Sequence, residues 1–168
     1  MANETDEQLS ERDYQLATGQ INLAEYAGID KRQLYVIANQ GYQLLESGRI
    51  EEAKDIYQGL VAADPSDSVF HCHLGSVFVR LGKTDEAFDE FNLALDYNVA
   101  NVDAFVGRGE IQLSRGKVQE AIDDFRKAIE FDSEAKRGST VRARAILLAL
   151  KDAIEKQTAT DSKTQTAT

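Results

Sequence analysis

Three stretches of the chain carry apolar residues at the spacing of a single helix face. The first is Ala53, Ile56, Tyr57, Leu60 and Val61, the second Ala87, Phe88, Phe91, Ala94 and Leu95, the third Ala121, Ile122, Phe125, Ala128 and Ile129. Steps of three and four residues put each set on one stripe of a 3.6-residue helix and leave the intervening charged positions to water. The stripes are copies of one another. Ala53, Ala87 and Ala121 are spaced by 34 residues, and so are Tyr57, Phe91 and Phe125.

Glycine keeps this period in two further registers. Gly41, Gly75 and Gly109 form one set, and Gly48, Gly82 and Gly116 the other. The first set falls in a helix ahead of each stripe, where a missing Cβ lets two helices approach closely at the expense of helix propensity. The second lies between the helices and suits the left-handed residue that ends the first of them. The chain thus reads as three helix–turn–helix units, residues 34–67, 68–101 and 102–135. No unit can bury its stripe alone, so a core forms only when they stack in series. Pro65 closes the first unit, and Val99 and Ser133 take its place in the next two, which predicts less sharply marked boundaries there.

The last stripe needs a cover. Ser139 or Thr140 can start a helix, and Ala143, Ile146, Leu147, Leu150 and Ile154 follow at helical spacing, so residues 136–157 read as a capping helix over 139–156. Beyond it, 158–168 offers almost nothing to bury and is expected to be disordered. Ahead of the repeats, residues 5–17 allow a short helix with Leu9, Tyr14 and Leu16, ended near Gly19. Ile21, Leu23, Tyr26 and Ile29 follow without the pattern of a long helix, and Asp30 with Gln33 reads as a capping box opening the first repeat helix. Residues 1–29 lie outside the repeat and form an N-terminal extension.

A 34-residue unit with a small residue at position 8, glycine at 15, alanine at 20 and an aromatic at 24 resembles the tetratricopeptide repeat. The resemblance implies an all-α superhelix of three helix–turn–helix repeats, with an N-terminal helical extension and a C-terminal capping helix. It also implies a concave groove lined by positions 2, 5, 6, 9, 12 and 13 of each first helix, and binding rather than catalysis. On the first repeat those positions are Tyr35, Ala38, Asn39, Tyr42, Leu45 and Glu46. On the second they are Val69, Cys72, His73, Ser76, Val79 and Arg80, and on the third Asp103, Val106, Gly107, Glu110, Leu113 and Ser114. The surface is mixed, with an aromatic and apolar first half that suits an extended peptide carrying one or two aliphatic anchors. An alternative is that Tyr35 or Leu45 packs against the N-terminal segment instead. Related proteins that hold the C-terminal carboxylates of heat-shock chaperones use a Lys, Asn and Arg clamp. Its positions here hold Ala38, Tyr42, His73, Asp103 and Gly107, so that clamp is missing.

Chemistry is sparse. His71, Cys72 and His73 are consecutive, but neighbours on a helix point about 100° apart and cannot converge on one ion; helical metal ligands stand at i and i+4. His71 falls on a packing position, and no metal or other cofactor is expected. The acidic pairs Glu51–Glu52, Asp85–Glu86 and Asp123–Asp124 sit early in second helices and read as solvated carboxylates near the positive helix end. Arg142, Arg144 and Lys151 read as a modest basic, solvated face of the capping helix. No nucleophile motif or phosphate loop is present, so the protein is not read as an enzyme.

Charge narrows the partners. A net charge of −10 repels nucleic-acid phosphates. No apolar run approaches the roughly 20 residues of a membrane span, and the polar, acidic start MANETDEQ is not a secretory signal. One cysteine allows no internal disulfide. These features fit a cytoplasmic protein with a protein client.

Gly19, Ile21 and Ile29, then Leu34-Tyr35, Ala38, Tyr42, Gly48, Ala53, Tyr57, Leu60, Asp64, Asp67 and Leu74-Gly75, resemble a narrower family: the class II translocator chaperones of bacterial type III secretion, the SycD/LcrH type. The likeness runs over roughly residues 15–135, and its distinctive part is the Gly-x-Ile lead-in with the Leu-Tyr-x-x-Ala-x-x-x-Tyr helix. It implies a cytosolic chaperone whose client segment lies extended in the groove. Tyr35, Ala38 and Tyr42 would line the peptide pocket, with Cys72, His73 and Ser76 next along. Residues 1–29 would serve homodimerisation or groove closure. The alternative is a general bacterial repeat scaffold in a multiprotein complex without an export role.

Overall fold

The computed structural model describes residues 10–165, with side chains through residue 156. In chain order the helices are α1 (Glu11–Ala17), α2 (Leu23–Ala27), α3 (Lys31–Glu46), α4 (Ile50–Ala63), α5 (Ser68–Arg80), α6 (Thr84–Tyr97), α7 (Val102–Ser114), α8 (Val118–Phe131) and α9 (Gly138–Gln165). Among the described residues every regular element is helical, and no helix is long and apolar enough to cross a membrane.

The hairpins α3–α4, α5–α6 and α7–α8 turn by one repeated device. Gly48 (φ 81°) donates its N–H to Leu45 O at 3.2 Å, while Arg49 N–H reaches back to Leu44 O at 2.9 Å. Gly82 and Lys83 make the same pair of bonds to Val79 and Phe78, and Gly116 and Lys117 to Leu113 and Gln112. This pair satisfies the last carbonyls of the helix, and the left-handed residue between helices carries no Cβ penalty because it is glycine.

The interior glycines do different work. A Cβ on Gly41 would lie 3.0 Å from the Tyr57 ring, one on Gly75 2.9 Å from Phe91, and one on Gly109 2.9 Å from Phe125. Each aromatic of the stripe is thus seated against the glycine of its own unit. Tyr57, Phe91 and Phe125 are all fully buried. Each such ring contributes about 1.5–3 kcal/mol by burial, and α4 against α5, α6 against α7 and α8 against α9 carry the core from unit to unit.

The boundary after Val99 is as sharp as the one after Pro65, against expectation. At the first, Asp64 Oδ1 accepts from the Ser66 hydroxyl and Asp67 caps α5 by accepting from Val69 N. At the second, Asn98 Oδ1 accepts from Ala100 N and Asn101 caps α7 by accepting from Ala104 N. Short Asx side chains set the turn at both, so proline is dispensable. The third boundary is longer. Ala135 takes a positive φ of 52°, and Asp132 gathers Lys136 N, Arg137 N and the Thr140 hydroxyl. The Thr140 bond, with those backbone donors, holds the Asp132 carboxyl below its usual range. The closing helix therefore starts at Gly138, and Thr140 is buried within its first turn.

α3 begins at Lys31, directly behind the expected Asp30–Gln33 capping box and ahead of the repeat frame. Two other expectations are corrected. α9 continues through residues 158–165, where the composition suggested disorder; residues 166–168 lie outside the described part. Ile154, expected to pack inward, is 53% exposed, whereas Ala143, Ile146 and Leu147 join the core.

In the N-terminal extension, Leu9 and the rest of 1–9 lie outside the described residues. The helix expected over 5–17 is seen as α1, capped by Ser10 and Asp13, and α2 is capped by Asn22 and Glu25. Arg12 donates to the carbonyls of Glu25 and Tyr26, and Tyr26 Oη donates to Asp13, which locks the two short helices together. α2 packs against α4 and buries Ala24. The described extension therefore sits on the second helix of the first unit and leaves the face of α3 toward α5 open.

Candidate functional site

The first helices of the three units line up on one side, and α9 follows in the place of a fourth. They enclose a cleft of about 640 Å³. α3 supplies Tyr42, Leu45 and Glu46, α5 supplies Val69, Cys72, His73, Ser76, Val79 and Arg80, and α7 supplies Asp103, Gly107 and Glu110. These are positions the repeat pattern assigns to the groove.

Six of the expected residues lie elsewhere, among them Leu113 and Ser114 at the end of α7, which do not line the cleft. Val106 is fully buried and Ala38 nearly so; the Ala38 carbonyl accepts the Tyr57 hydroxyl at 2.8 Å. Asn39 is exposed but does not line the cleft. Tyr35 spans the joint between the first two units. Its hydroxyl donates to Asp67 at 3.1 Å, its ring meets Phe70 at 5.4 Å, and Lys31 pairs with the same Asp67. Burial, aided by the Asp67 charge, pushes the Tyr35 hydroxyl up to about 12. Neither Tyr35 nor Leu45 packs on the N-terminal helices; Leu45 lines the cleft.

His73 sits in the aromatic half of the cleft. Its ring stacks on Tyr57 at 5.1 Å and meets the edge of Tyr42 at 6.1 Å. Burial draws its pKa down, only partly opposed by the Asp103 charge, so the ring there is a neutral, flat surface. Cys72 beside it is buried, and burial raises its thiol pKa strongly, which leaves no thiolate for nucleophilic chemistry.

His71 points the other way. Nδ1 lies 2.7 Å from Glu90 Oε2, Nε2 lies 2.8 Å from the Pro65 carbonyl, and the ring stacks on Tyr97. Both partners are acceptors, so the charged imidazolium, with two donors, fits the site. Burial opposes the charge, but the bonds to Glu90 and Pro65 and the charges of Glu90 and Asp67 outweigh it and raise the pKa. The two histidines therefore face different sides of α5 and share no ligand. Among the described residues no His, Cys, Asp and Glu cluster has the arrangement of a metal site.

The far wall of the cleft comes from residues the repeat positions did not point to. Arg137 Nη1 pairs with Asp103 at 2.7 Å, Ser139 donates to the same carboxylate, and Arg142 donates to Glu110. The longer third boundary hides this wall from the frame: α9 starts 36 residues after α7 (138 − 102 = 36), so Ser139 rather than Arg137 stands where Asp103 does. Arg142, Arg144 and Lys151 are all exposed, as the expected solvated face requires, and each has a partner. Arg142 turns to Glu110, Arg144 donates to the Ser133 carbonyl, and Lys151 pairs with Glu155. One acidic residue is also displaced from its expected setting: Asp124 is buried, held by two N–H donors of Arg108, which also donates to Asn92. With Arg137 and Arg142 committed, Arg80 is the cleft-lining cation without an ion-pair partner among the described residues.

No curated protein matches the chain by sequence. Among solved structures, the fold is similar to the type III secretion translocator chaperone SycD of Yersinia enterocolitica, with 22% identity and a TM-score of 0.67 over 76% of this chain and 97% of that one. It is similar to PcrH in complex with the chaperone-binding region of PopD, at 21% identity and TM-score 0.66 over 74% of this chain and 96% of that one. It is also similar to the first repeat domain of Spaghetti (RPAP3) bound to the HSP90 peptide SRMEEVD, at 28% identity and TM-score 0.61 over 73% and 96%. The tetratricopeptide repeat family model matches residues 39–96 and 74–138, the span of the hairpins described above. On its periodicity, its repeated turns and this match, the chain belongs to the tetratricopeptide repeat family.

Proposed function

We propose that the protein is a non-enzymatic, cytosolic chaperone that holds an extended segment of a type III secretion translocator in its concave cleft. The observation that carries this reading is an open cleft with an apolar, aromatic half, left clear by the described part of the N-terminal extension, whose α2 packs on α4. Tyr42, Leu45, Val69, Cys72 and Val79 offer apolar contact, and the neutral His73 ring continues the surface. A buried aliphatic anchor contributes about 1.5–3 kcal/mol there. An extended client exposes its backbone, and Ser76 with the rim charges of Glu46 and Arg80 supplies polar partners. The likeness to SycD and to PcrH holding a segment of PopD supports a client of that kind.

A second reading is a general scaffold. The identity to the HSP90-peptide-binding domain, 28%, exceeds that to SycD, 22%, which favours shared repeat consensus over a specific export role. The carboxylate clamp is missing, however, and Asp103 at one of its positions is already paired with Arg137. Co-purification from host lysate, with mass spectrometry, separates the readings. A predominant partner with membrane-inserting segments, lost in Tyr42→Glu, is the expected result. A set of soluble proteins of one complex moves the protein to the scaffold class.

A further inference from the structure

The terminal element of a stacked-repeat protein needs a polar outer face. α9 exposes charged residues on much of its surface, but one side of it, at Val141, Ala145 and Leu148, is apolar and exposed. α9 begins at Gly138 as α7 begins at Val102 and α5 at Ser68, so residues at equal distances from these starts correspond (138 − 102 = 36; 138 − 68 = 70). On the face toward the preceding unit the correspondence is close: Thr140, Ala104 and Phe70 are all 0% exposed.

The adjacent face differs. On α5 and α7 it is covered by the second helix of the same unit. His71 meets Glu90 and Tyr97, Gly75 meets Phe91, Phe105 meets Phe131, and Gly109 meets Phe125. The counterparts on α9 are Val141, Ala145 and Leu148, the middle one small as the glycines are. No second helix follows among the described residues, and Val141 is 55% and Leu148 61% exposed. α9 is a first helix that presents its pairing face bare.

We propose that this face is covered by α9 of a second copy, packed antiparallel about a two-fold axis at Leu148. The other first helices take an antiparallel partner across the same face, and a two-fold axis perpendicular to a helix generates that arrangement from identical chains. Charge fixes the register. Arg144, Leu148 and Asp152 follow one another at i, i+4 on one side of the helix. With Leu148 on the axis, residue 144 faces residue 152 of the other copy (144 + 152 = 148 + 148). Arg144 therefore meets Asp152 twice, once on each side of a Leu148–Leu148 contact. Asp152 is exposed and has no ion-pair partner among the described residues, and Arg144 keeps N–H donors beyond the one given to Ser133. Ala145 then lies opposite Lys151, whose aliphatic stem covers it while its ammonium stays in water. The interface lies on the α9 face away from Asp103 and Glu110, so it is separate from the cleft.

Sedimentation equilibrium of the full chain over a concentration series tests this. The expected result is a reversible monomer–dimer equilibrium that Leu148→Glu abolishes while client capture in the cleft persists. Arg144→Asp should weaken dimerisation roughly tenfold, and adding Asp152→Arg in the same chain should restore it. Leu148→Cys should form a disulfide between copies under mild oxidation, with Cys72 buried and out of competition. A monomer at every concentration overturns the proposal. So does a dimer that survives Leu148→Glu, or one broken by changes in residues 10–29 and indifferent to position 148. Loss of client capture with the dimer intact would count against the cleft reading alone.

Discussion

The Phe91 ring runs under the backbone of Gly107: a Cβ at residue 107 would stand 2.4 Å from Phe91 Cζ. The same ring lies against Gly75 from its own unit. One aromatic is thus clasped by glycines of two successive repeats, and the second and third units are joined through it. Gly107→Ala should therefore destabilise the fold by about 1–3 kcal/mol, the usual range for overpacking, despite a gain of roughly 0.5–1 kcal/mol in helix propensity. Gly59→Ala is the control, because a Cβ there meets nothing within 4 Å. Urea unfolding of the two variants should move the midpoint in opposite directions.

The equivalent joint one unit earlier is built from His73 stacked on Tyr57, and this has a consequence for pH. His73 has a lowered pKa and His71 a raised one. For His71 the folded state holds the proton more tightly, so its contribution is complete below about 6.5, the ordinary imidazole value, and is lost as pH rises through the folded value. For His73 the unfolded chain takes the proton first. Its contribution is complete above about 6.5 and is lost as pH falls toward the folded value. The chain has two histidines, so NMR titration of their ring protons should show two curves displaced to opposite sides of 6.5. Glu90→Gln should pull the upper curve down and leave the lower one in place. Two curves that coincide would remove both assignments.

The hairpins were legible because they rest on local chemistry. Glycines one period apart fix the turns and close approaches, and each stripe needs only its own unit to be recognised. The cleft was less legible because lining it depends on what stands on either side of a helix. His73 and Gly107 face the cleft, while Asn39 at the same repeat position does not, since among the described residues no repeat unit precedes the first. Ala38, Cys72 and Val106 also share a repeat position, yet only Cys72 reaches the cleft surface. The wall formed by Arg137, Ser139 and Arg142 escaped notice for a simple reason: the repeat frame stops at 135, and the longer third boundary sets α9 two residues out of the 34-residue period. Asp124 was misplaced because a carboxylate in a second helix reads as solvated unless its Arg108 partner, 16 residues earlier (124 − 108 = 16), is known.

That Arg108–Asp124 pair predicts its own mutational pattern. Asp124→Ala strands a guanidinium that also serves Asn92, and breaking a buried pair from one side costs about 3–5 kcal/mol. Arg108 retains some solvent access, with a side-chain exposure of 21%, so the lower end of that range is expected. Replacing both residues by Met and Leu removes the stranded charge and should recover most of the loss. Chemical denaturation of the single and double variants checks this. A double variant as unstable as the single would mean the pair does more than satisfy its own charges.

Tyr35 and Tyr42 both stand on α3, are both partly exposed, and should fail in opposite ways. Tyr35 gives its hydroxyl to Asp67, the cap of α5, and does not line the cleft. Tyr35→Phe removes that bond and should lower stability by about 0.5–1.5 kcal/mol, with client affinity unchanged. Tyr42 lines the cleft and touches His73 by its edge, and 46% of its surface is open to a ligand. Tyr42→Ala should leave stability within about 0.5 kcal/mol yet weaken client binding by roughly tenfold or more, the equivalent of one lost apolar contact. Thermal unfolding and titration of a labelled client segment, run on both variants, separate the joint from the groove. If Tyr35→Phe loses the client and Tyr42→Ala does not, the binding surface lies at the α3–α5 joint rather than in the cleft.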